Sequence, residues 1–376
     1  MSTNAISMVA LGPDEADERE EWLAALGSVI DRSAFCLGSE VEEFEREVKE
    51  LLGVHAALGV ANGSDALRIA LQALAIGPGD EVIVPAYSFF ASASSIAHLG
   101  ARPRFVDVSR DTLTLDPEAL TAAANDLTKA VMPVHLYGQA AALDAIGPWC
   151  AQRRITIVED AAQAFGVRHR GIALGGVGAA GTFSFYPTKN LGAPGDAGMV
   201  ITREPEVAER VRMLRAHGDR GGYRHEALGW NARLDGFQAA ILRIRLRRLP
   251  HIQELRSRNA RLYLEGLAAK SLLDDVRPLG RTPGSEHGWH QFIVFVEERP
   301  HVQAVLRERG IASGVYYPST LPSQPAFASL GHRTGEFPVA EYASRCALAL
   351  PIHHRVTPTD VERVVEALAY AVRGAS

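Results

Sequence analysis

Apolar runs and amphipathic stretches alternate through the first half of the chain. Apolar residues dominate five short runs that predict buried strands, at positions 56–61, 82–84, 103–106, 130–134 and 155–158. Before the first run and between successive runs, hydrophobic residues recur at helical spacing, at positions 38–52, 64–74, 89–99, 117–124 and 143–152. Apolar strands that alternate with helices indicate a mostly parallel sheet covered on both faces, which is an α/β fold.

The alternation weakens after Thr202. A long helical pattern follows at 234–267, and Pro250 predicts a kink or a break within it. Strand patterns at 290–296 and 314–317 and helical patterns at 302–309 and 359–372 complete the chain. We therefore expect a large α/β domain over residues 1–250, including an N-terminal segment 1–35, and a smaller α+β domain over residues 251–376.

Charge and composition exclude several classes of protein. The charged fraction is 22% and the formal net charge is −5, so nucleic acid is not an expected partner. No apolar run is long enough to span a membrane, and the acidic stretch 14–21 is opposite in charge to the start of a signal peptide. The three cysteines have neither metal-ligand nor disulfide spacing, which predicts a metal-free cytoplasmic protein. The basic run 243–248 is interpreted as the outer face of a helix.

A loop rich in glycine and proline carries one lysine, Lys189. The apolar residues Phe183 and Phe185 precede it, and the apolar run 199–201 follows it. An amine held between buried strands loses hydration, which lowers its pKa and lets it form a Schiff base. Most lysines lie on the surface, so a surface-loop lysine is the alternative.

Two further segments suit a cofactor that carries a phosphate. One predicted strand runs through Gly63 and Ser64 directly into a helix, whose free N–H groups bind phosphate; an ordinary N-cap at Ser64 or Asp65 is the alternative. Another strand ends near Asp160, at the sheet edge where α/β proteins bind ligands; a salt bridge or helix cap is the alternative. A phosphate cradle, an acid and a lysine together predict a pyridoxal phosphate site, where the acid keeps the pyridine nitrogen protonated.

The segment Gly176-Val-Gly178-Ala-Ala-Gly181 matches the glycine pattern of dinucleotide-binding proteins. That pattern requires a preceding strand and a following helix, whereas this segment follows a turn and enters a strand. We interpret the segment as a tight connection. An NAD-dependent oxidoreductase is therefore discarded, because only this glycine pattern suggests one.

Six collinear motifs resemble the nucleotide-sugar aminotransferases of the DegT/StrS type. They are Asn62-Gly-Ser-Asp-Ala-Leu67, Gly77-Pro-Gly-Asp-Glu-Val-Ile-Val-Pro85, Val134-His-Leu-Tyr-Gly138, Glu159-Asp-Ala-Ala-Gln163, Phe183-Ser-Phe-Tyr-Pro-Thr-Lys-Asn190, and Asn231-Ala-Arg-Leu-Asp235 followed by Gln238-Ala-Ala-Ile-Leu242. The resemblance extends from about Ser33 to the last helix. It implies a fold-type I pyridoxal phosphate enzyme, similar to aspartate aminotransferase in fold and active as an obligate homodimer.

The resemblance also implies roles for individual residues. Lys189 would bind the cofactor covalently, and Asp160 would pair with the pyridine nitrogen. The remaining cofactor-binding residues would be Gln163 near the phenolic oxygen, Phe89 stacked on the ring, Gly63, Ser64 and Ser184 at the phosphate, and Asn231 reaching the phosphate from the neighbouring subunit. Core packing is the alternative for Phe89, and an alternating strand residue for Ser184.

Four residues are expected at the substrate. Tyr186, Tyr316 and Tyr317 would line the sugar pocket, and Arg220 in the glycine-rich loop 217–225 would contact the diphosphate; a solvated basic loop is the alternative. Family members often have histidine where this chain has Tyr316. They also often have a histidine shortly before Gln-Pro-Ala, which this chain lacks.

Tyr186 and the run Asp196-Ala-Gly198 resemble the family branch that aminates C3 of 3-keto sugars. We therefore expect transfer of an amino group from L-glutamate to a dTDP-3-keto-6-deoxyhexose, giving a dTDP-3-amino-3,6-dideoxyhexose. The alternatives are amination at C4 of a dTDP- or UDP-linked 4-keto sugar, C3 amination of a UDP-linked sugar, and a pyridoxal phosphate-binding regulatory protein without turnover. Lys189 argues against the dehydratases of the family, which have histidine in its place.

Overall fold

The computed structural model describes residues 5–374. The helices are α1 (Ala16–Asp31), α2 (Ser39–Leu52), α3 (Gly63–Ala73), α4 (Phe90–His98), α5 (Pro117–Ala123), α6 (Leu143–Arg153), α7 (Pro205–Leu214), α8 (Gly236–Ala269), α9 (Arg299–Glu308), α10 (Pro338–Cys346) and α11 (Pro358–Arg373). The strands are β1 (Ala56–Val60), β2 (Glu81–Pro85), β3 (Arg102–Val106), β4 (Thr128–Val131), β5 (Thr156–Asp160), β6 (Arg168–His169), β7 (Ile172–Ala173), β8 (Ala180–Ser184), β9 (Gly198–Thr202), β10 (Arg277–Pro278), β11 (Phe292–Phe295) and β12 (Ala347–Leu350).

Seven strands form the central sheet, in the order β1-β9-β8-β5-β4-β2-β3. The neighbours from β8 to β3 pair in parallel, and β9 runs antiparallel to both β1 and β8. Every residue of β1, β2 and β9 is buried, because helices cover both faces of the sheet. This mostly parallel sheet confirms the predicted α/β fold class.

Local chemistry sets the ends of α2, one of the helices predicted from its pattern. Val41, Phe44 and Val48 recur at helical spacing and are buried on one face. Gly53 ends the helix in the left-handed conformation, with φ 66° and ψ 42°, which costs glycine little because it has no Cβ. Helix α2 packs against β1, which lies at the edge of the sheet.

The longest helix, α8, runs through Pro250 without interruption, so a break there is wrong and a kink stays a prediction. Proline removes one hydrogen bond from a helix, but packing against α1, α2 and α11 holds this helix together. Position 250, where we expected one domain to end, therefore lies inside a continuous helix.

The basic run 243–248 on α8 lies against acidic residues of α1 and α2. Arg243 pairs with Glu40 at 2.7 Å, and Arg248 pairs with Glu21 at 2.9 Å. Arg245 is only 4% exposed, so interpreting the whole run as an outer face is wrong. Opposite charges on these helices explain why the acidic start of the chain folds onto α8.

A second, three-stranded antiparallel sheet has the order β10-β11-β12. It packs with α9, α11 and the end of α8 around a separate apolar core that includes Tyr263, Phe292 and Leu348. Strand β11 was predicted, whereas α1, α7, α10 and β12 were not.

Within residues 5–374, no helix is long and apolar enough to cross a membrane.

The strand expected at 314–317 does not form. Gly314 makes an isolated bridge, and the next backbone groups bond to side chains instead. The hydroxyl of Tyr137 donates to the carbonyl of Tyr316. The backbone N–H of Tyr317 donates to the hydroxyl of Tyr87 at 2.5 Å. These bonds join this segment to the large sheet.

Candidate active site

Several chain segments meet at the carboxyl edge of the central sheet. Strand β5 ends at Asp160 and pairs with β8, which ends at Ser184 and leads into the lysine loop. Helix α3 begins at Gly63, where an added Cβ would lie 2.7 Å from the Cβ of Ser184. The segments singled out from the sequence therefore share one edge of the sheet, as the topology requires.

Lys189 is half-buried in this edge, and its backbone N–H donates to the carbonyl of Tyr186 at 2.8 Å. Burial lowers the pKa of the lysine amine to about 8, although the charge of Asp160 acts in the opposite direction. A useful fraction of the amine is therefore neutral near neutral pH, as a nucleophile or a proton carrier must be.

Asp160 is 4% exposed and is held by two donors. The hydroxyl of Ser92 donates to Oδ2 at 2.7 Å, and the backbone N–H of Ala162 donates to Oδ1 at 3.2 Å. The hydroxyls of Ser88 and Ser92 are 2.8 Å apart. We did not predict Ser92, because 68 residues separate it from Asp160 and no local motif marks it.

The start of α3 has the shape of an anion cradle. Asn62 is the N-cap, since its Oδ1 accepts the N–H of Asp65 at 2.8 Å, so an N-cap at Ser64 or Asp65 is wrong. Ser64 is exposed in the first turn, and the preceding Gly63 closely approaches Ser184 on β8. A Cβ at Gly198 would lie 2.3 Å from the carbonyl carbon of Asn62, so both glycines permit the close approach of these segments.

Aromatic residues form one wall of the site. Phe89 is 54% exposed, so it does not belong to the core, and its ring centroid lies 6.0 Å from that of Tyr317. Gln163 donates through Nε2 to the hydroxyl of Tyr317 at 3.1 Å and accepts the N–H of Tyr137 through Oε1 at 2.7 Å. Burial raises the pKa of Tyr317, which keeps its hydroxyl protonated.

Other candidates lie around this centre. Tyr186 is 52% exposed, three positions before Lys189, and Tyr316 is half-buried beside Tyr317. Asn231 is exposed and borders a cavity of 370 Å³ that Asn62 also lines, next to the cradle.

Arg220 is exposed in a short hairpin and pairs with Glu226 at 2.9 Å. Asp219 fixes this hairpin by accepting the N–H groups of Gly221 at 2.9 Å and Arg224 at 3.0 Å. Within the described part of the chain, no hydrogen bond or ion pair joins Arg220 to Lys189 or Asp160. The structure of one chain therefore leaves Arg220 outside the group that meets at the sheet edge.

The discarded glycine pattern has a different use. Fully buried Glu159 accepts through Oε1 the N–H groups of Val177 and Gly178, both at 2.7 Å. Its Oε2 accepts the N–H of Gly175 at 2.8 Å and lies 2.8 Å from Nε2 of His135. The glycines thus form a nest around an internal carboxylate. Sequence reasoning missed this arrangement, although the acid before Asp160 and the following glycines were its signal.

These residues fit pyridoxal phosphate. The desolvated amine of Lys189 and the buried carboxylate of Asp160 lie at the same sheet edge as a helix start whose glycine permits close approach, and the phenyl ring of Phe89 is exposed. The cradle would hold the phosphate, and Asp160 would hold the pyridine nitrogen.

Comparison with known proteins agrees with this geometry. The family model "DegT/DnrJ/EryC1/StrS aminotransferase family" matches residues 16–369. The chain is 42% identical to the dTDP-3-amino-3,4,6-trideoxy-alpha-D-glucose transaminase of Streptomyces venezuelae, covering 93% of this chain and 92% of that protein. It is 39% identical to the UDP-N-acetyl-3-dehydro-alpha-D-glucosamine 3-aminotransferase of Acidithiobacillus ferrooxidans, covering 98% and 99%.

The solved structure of Streptomyces venezuelae DesV, in complex with a ketimine intermediate, superposes with a TM-score of 0.95 at 40% identity. It covers 99% of this chain and 100% of that one. Other similar structures hold pyridoxal or pyridoxamine phosphate. The cofactor is therefore pyridoxal phosphate, and the chain belongs to the DegT/DnrJ/EryC1/StrS aminotransferase family.

Proposed function

We propose that this protein transfers the amino group of L-glutamate to C3 of a nucleotide-linked 3-keto sugar, most readily a dTDP-3-keto-6-deoxyhexose. The observation that carries the proposal is the desolvated amine of Lys189 beside the buried carboxylate of Asp160. The product would be a dTDP-3-amino-3,6-dideoxyhexose, and glutamate would leave as 2-oxoglutarate.

When bound, pyridoxal phosphate supplies the electron sink on which transamination depends. Lys189 would then carry protons to and from the reacting carbon, because its amine changes protonation near pH 8. A positioned acid–base group of this kind typically accelerates a proton transfer by ~10²–10⁴. We assign the catalytic roles to Lys189 and Asp160.

The cofactor would be held by residues that the fold brings together. Gly63, Ser64 and Ser184 would donate to the phosphate at the start of α3, where the helix dipole favours an anion. Phe89 would stack on the ring, since its side chain is exposed at the sheet edge. Gln163 would lie near the phenolic oxygen and also hold Tyr317 in place.

Position C3 is favoured by two considerations. Both curated relatives described above are named for 3-amino or 3-keto sugars. Tyr186 is exposed next to Lys189, where its hydroxyl would meet the sugar, and Tyr316 and Tyr317 would line the opposite side. A UDP-linked 3-keto sugar and a 4-keto sugar are the alternative substrates.

The test offers the holoprotein and glutamate either 3-keto or 4-keto dTDP-6-deoxyglucose and locates the new C–N bond by NMR. We expect an amine at C3 only. An amine at C4 with the 3-keto isomer unreacted would overturn the assignment of the carbon while leaving the transaminase proposal standing.

We also propose a cytoplasmic homodimer in which each subunit completes the site of the other. Asn231 would reach the partner's phosphate, and Arg220 would reach the substrate diphosphate. Both residues are exposed in one chain, and the hairpin of Arg220 carries Tyr223, which is 90% exposed. Two domains, over residues 1–250 and 251–376, would build each subunit around the site.

A regulatory protein without turnover is a second candidate. A "Pleiotropic regulatory protein" of Geobacillus stearothermophilus is 42% identical over 97% of this chain and 98% of that protein. A pure binding protein would not release 2-oxoglutarate from glutamate, so a single-turnover assay separates the two functions.

A further inference from the structure

A small cavity lies beside the lysine loop, where distant parts of the chain meet. It is lined by residues 8–10, the loop 188–190, Arg245 and Arg256 of α8, and residues 352–354. Its volume is about 20 Å³. The cavity thus joins the N-terminal segment, the lysine loop and the C-terminal region.

Two buried guanidinium groups line this cavity without an acidic partner. Arg245 is 4% exposed and Arg256 is 5% exposed. Among residues 5–374, no carboxylate forms an ion pair with either one. Burial lowers the pKa of Arg256 only to about 10, so it stays charged at neutral pH. Buried charges in proteins are ordinarily paired, which makes this pair of cations exceptional.

The nearest acids are engaged elsewhere. Glu18 and Asp14 act on Arg245 only through their charge. Asp14 lies 2.6 Å from Nε2 of His354 and also bonds to Nε of Arg355 at 2.6 Å. Glu18 accepts the backbone N–H of Asp14 at 2.7 Å. The cavity therefore keeps a local excess of positive charge.

Several side-chain polar atoms around the cavity also lack hydrogen-bond partners. Within residues 5–374, 13 buried side-chain nitrogen or oxygen atoms have no hydrogen-bond partner, and seven belong to residues that line this cavity. They are Oδ1 of Asn190, Nε of Arg245, Nε of Arg256, Nδ1 of His290, Oε1 of Gln291, Nδ1 of His353 and Nδ1 of His354. Among these atoms, the Nε–H groups of Arg245 and Arg256 are free donors that an anion can satisfy.

We propose that this cavity is a binding site for one small monovalent inorganic anion of the size of chloride, held between Arg245 and Arg256. A cavity of about 20 Å³ admits a single water-sized particle, which excludes a phosphate or the carboxylate of an amino acid. Nδ1 of His290 also lies at this cavity and donates to the anion in the tautomer that carries its proton there. A water molecule fits the volume but gives neither guanidinium group a counter-ion in contact.

The anion would fix the surroundings of Lys189 without taking part in the reaction. Lys189 lines the same cavity, and Arg256 also anchors the site by donating through Nη1 to the carbonyl of Trp289 at 2.8 Å. By balancing the two guanidiniums, the anion would hold α8, the N-terminal segment and the lysine loop together.

Crystals of the holoprotein soaked in sodium bromide test the site directly. We expect an anomalous difference peak within hydrogen-bond distance of the guanidinium groups of Arg245 and Arg256. A bromide peak confined to surface sites, with water-like density in this cavity, would overturn the proposal.

A solution experiment uses Arg256→Met, Arg245→Met and the control Arg247→Met, which changes an exposed arginine of the same helix. In 35Cl NMR, the excess chloride line width given by the holoprotein should persist in the control and fall to the buffer value in either cavity variant. Replacing gluconate by chloride at equal ionic strength should raise Tm on the order of 1–2 °C in the parent protein only. Equal line widths and equal Tm shifts in cavity and control variants would contradict the site.

Discussion

At the scale of single residues, opposing effects of burial and charge set the chemistry of Lys189. Burial removes water from its ammonium form and lowers the pKa, while Asp160 partly restores that form. The balance at about pH 8 leaves both protonation states available near neutral pH. An exposed lysine would be almost wholly protonated there and would react slowly.

We expect the amine of Lys189 in the apoprotein to react half-maximally at a pH of about 8, rather than near the ordinary value of 10.5. Because burial disfavours the ammonium form, the reactive neutral amine increases as the pH rises through this value. The measurement is borohydride trapping of a small aldehyde across the pH range, with the modified lysines identified by peptide mass spectrometry. Exposed Lys129 is the internal reference, and parallel pH profiles for both lysines would refute the prediction.

The pKa of Glu159 shows how the nest affects stability. Burial alone would raise this pKa, but the hydrogen bond and charge of His135 and the N–H groups of Gly178 and Gly175 hold it below 4.5. A carboxyl whose pKa is lower in the folded state stabilises the fold above its unfolded-state pKa. That stabilisation is lost as the pH falls through the folded-state pKa.

Glu159→Gln should lower the free energy of unfolding at neutral pH by ~3–5 kcal/mol. The amide NH₂ of glutamine would face backbone N–H groups that now donate to the carboxylate, and two donors cannot bond to each other. The difference from the parent protein should shrink as the pH falls below the ordinary carboxyl range. Urea unfolding of the apoprotein, at neutral pH and at a pH below the ordinary carboxyl range, measures this difference in stability. The control is Glu50→Gln, which changes an exposed carboxylate. A loss of the same size at both pH values would show that the carboxylate charge is not responsible.

Lys189 and Asp160 could be proposed from the sequence because each lies beside an apolar strand whose direction predicts where it ends. Sequence reasoning did not find Ser92 or the exceptional burial of Arg245. These depend on contacts between segments far apart in the chain, such as the bond from Ser92 to Asp160. The charge pattern of the run 243–248 predicted a surface position for Arg245. That prediction suits its neighbours Arg243 and Arg248, which reach acids at the surface.

At the scale of elements, the buried strands of the central sheet were predictable because both of their faces are apolar. Helix α1 was not, since only Glu18 and Val29 of its 16 residues are buried, so its pattern is weak. The segment 314–317 alternates like a strand, but its backbone bonds to tyrosine hydroxyls from the large sheet. Pro250 suggested a break that tertiary packing of α8 overrides.

The junction between α3 and β8 makes its own prediction. Gly63→Ala should weaken pyridoxal phosphate binding tenfold or more, because the new Cβ would lie 2.7 Å from the Cβ of Ser184 and push the cradle open. Overpacking of this kind costs ~1–3 kcal/mol. Equilibrium dialysis measures the affinity, and Gly27→Ala is the control because a Cβ there meets nothing within 4 Å. Unchanged affinity in Gly63→Ala would show that the cradle is not at this helix start.

At the scale of the whole molecule, the proposed homodimer shares its sites between subunits. A mixture of Lys189→Ala and Asn231→Asp proteins, each with little activity, should then recover activity after subunit exchange. In a hybrid dimer one site carries both defects and the other carries neither, so about a quarter of the parent activity should return. Activity assays before and after exchange measure this, and no recovery from a mixture shown to contain hybrid dimers would place Asn231 in its own subunit's site.

A single turnover of the holoprotein with L-glutamate and no sugar tests whether this protein is a transaminase. We expect one 2-oxoglutarate for each active site, together with a change in the visible spectrum of the bound cofactor. Lys189→Ala should release none on this timescale, whereas the exposed control Lys129→Ala should match the parent protein. A holoprotein that binds pyridoxal phosphate through Lys189 and yet forms no 2-oxoglutarate would contradict the account and favour a regulatory role.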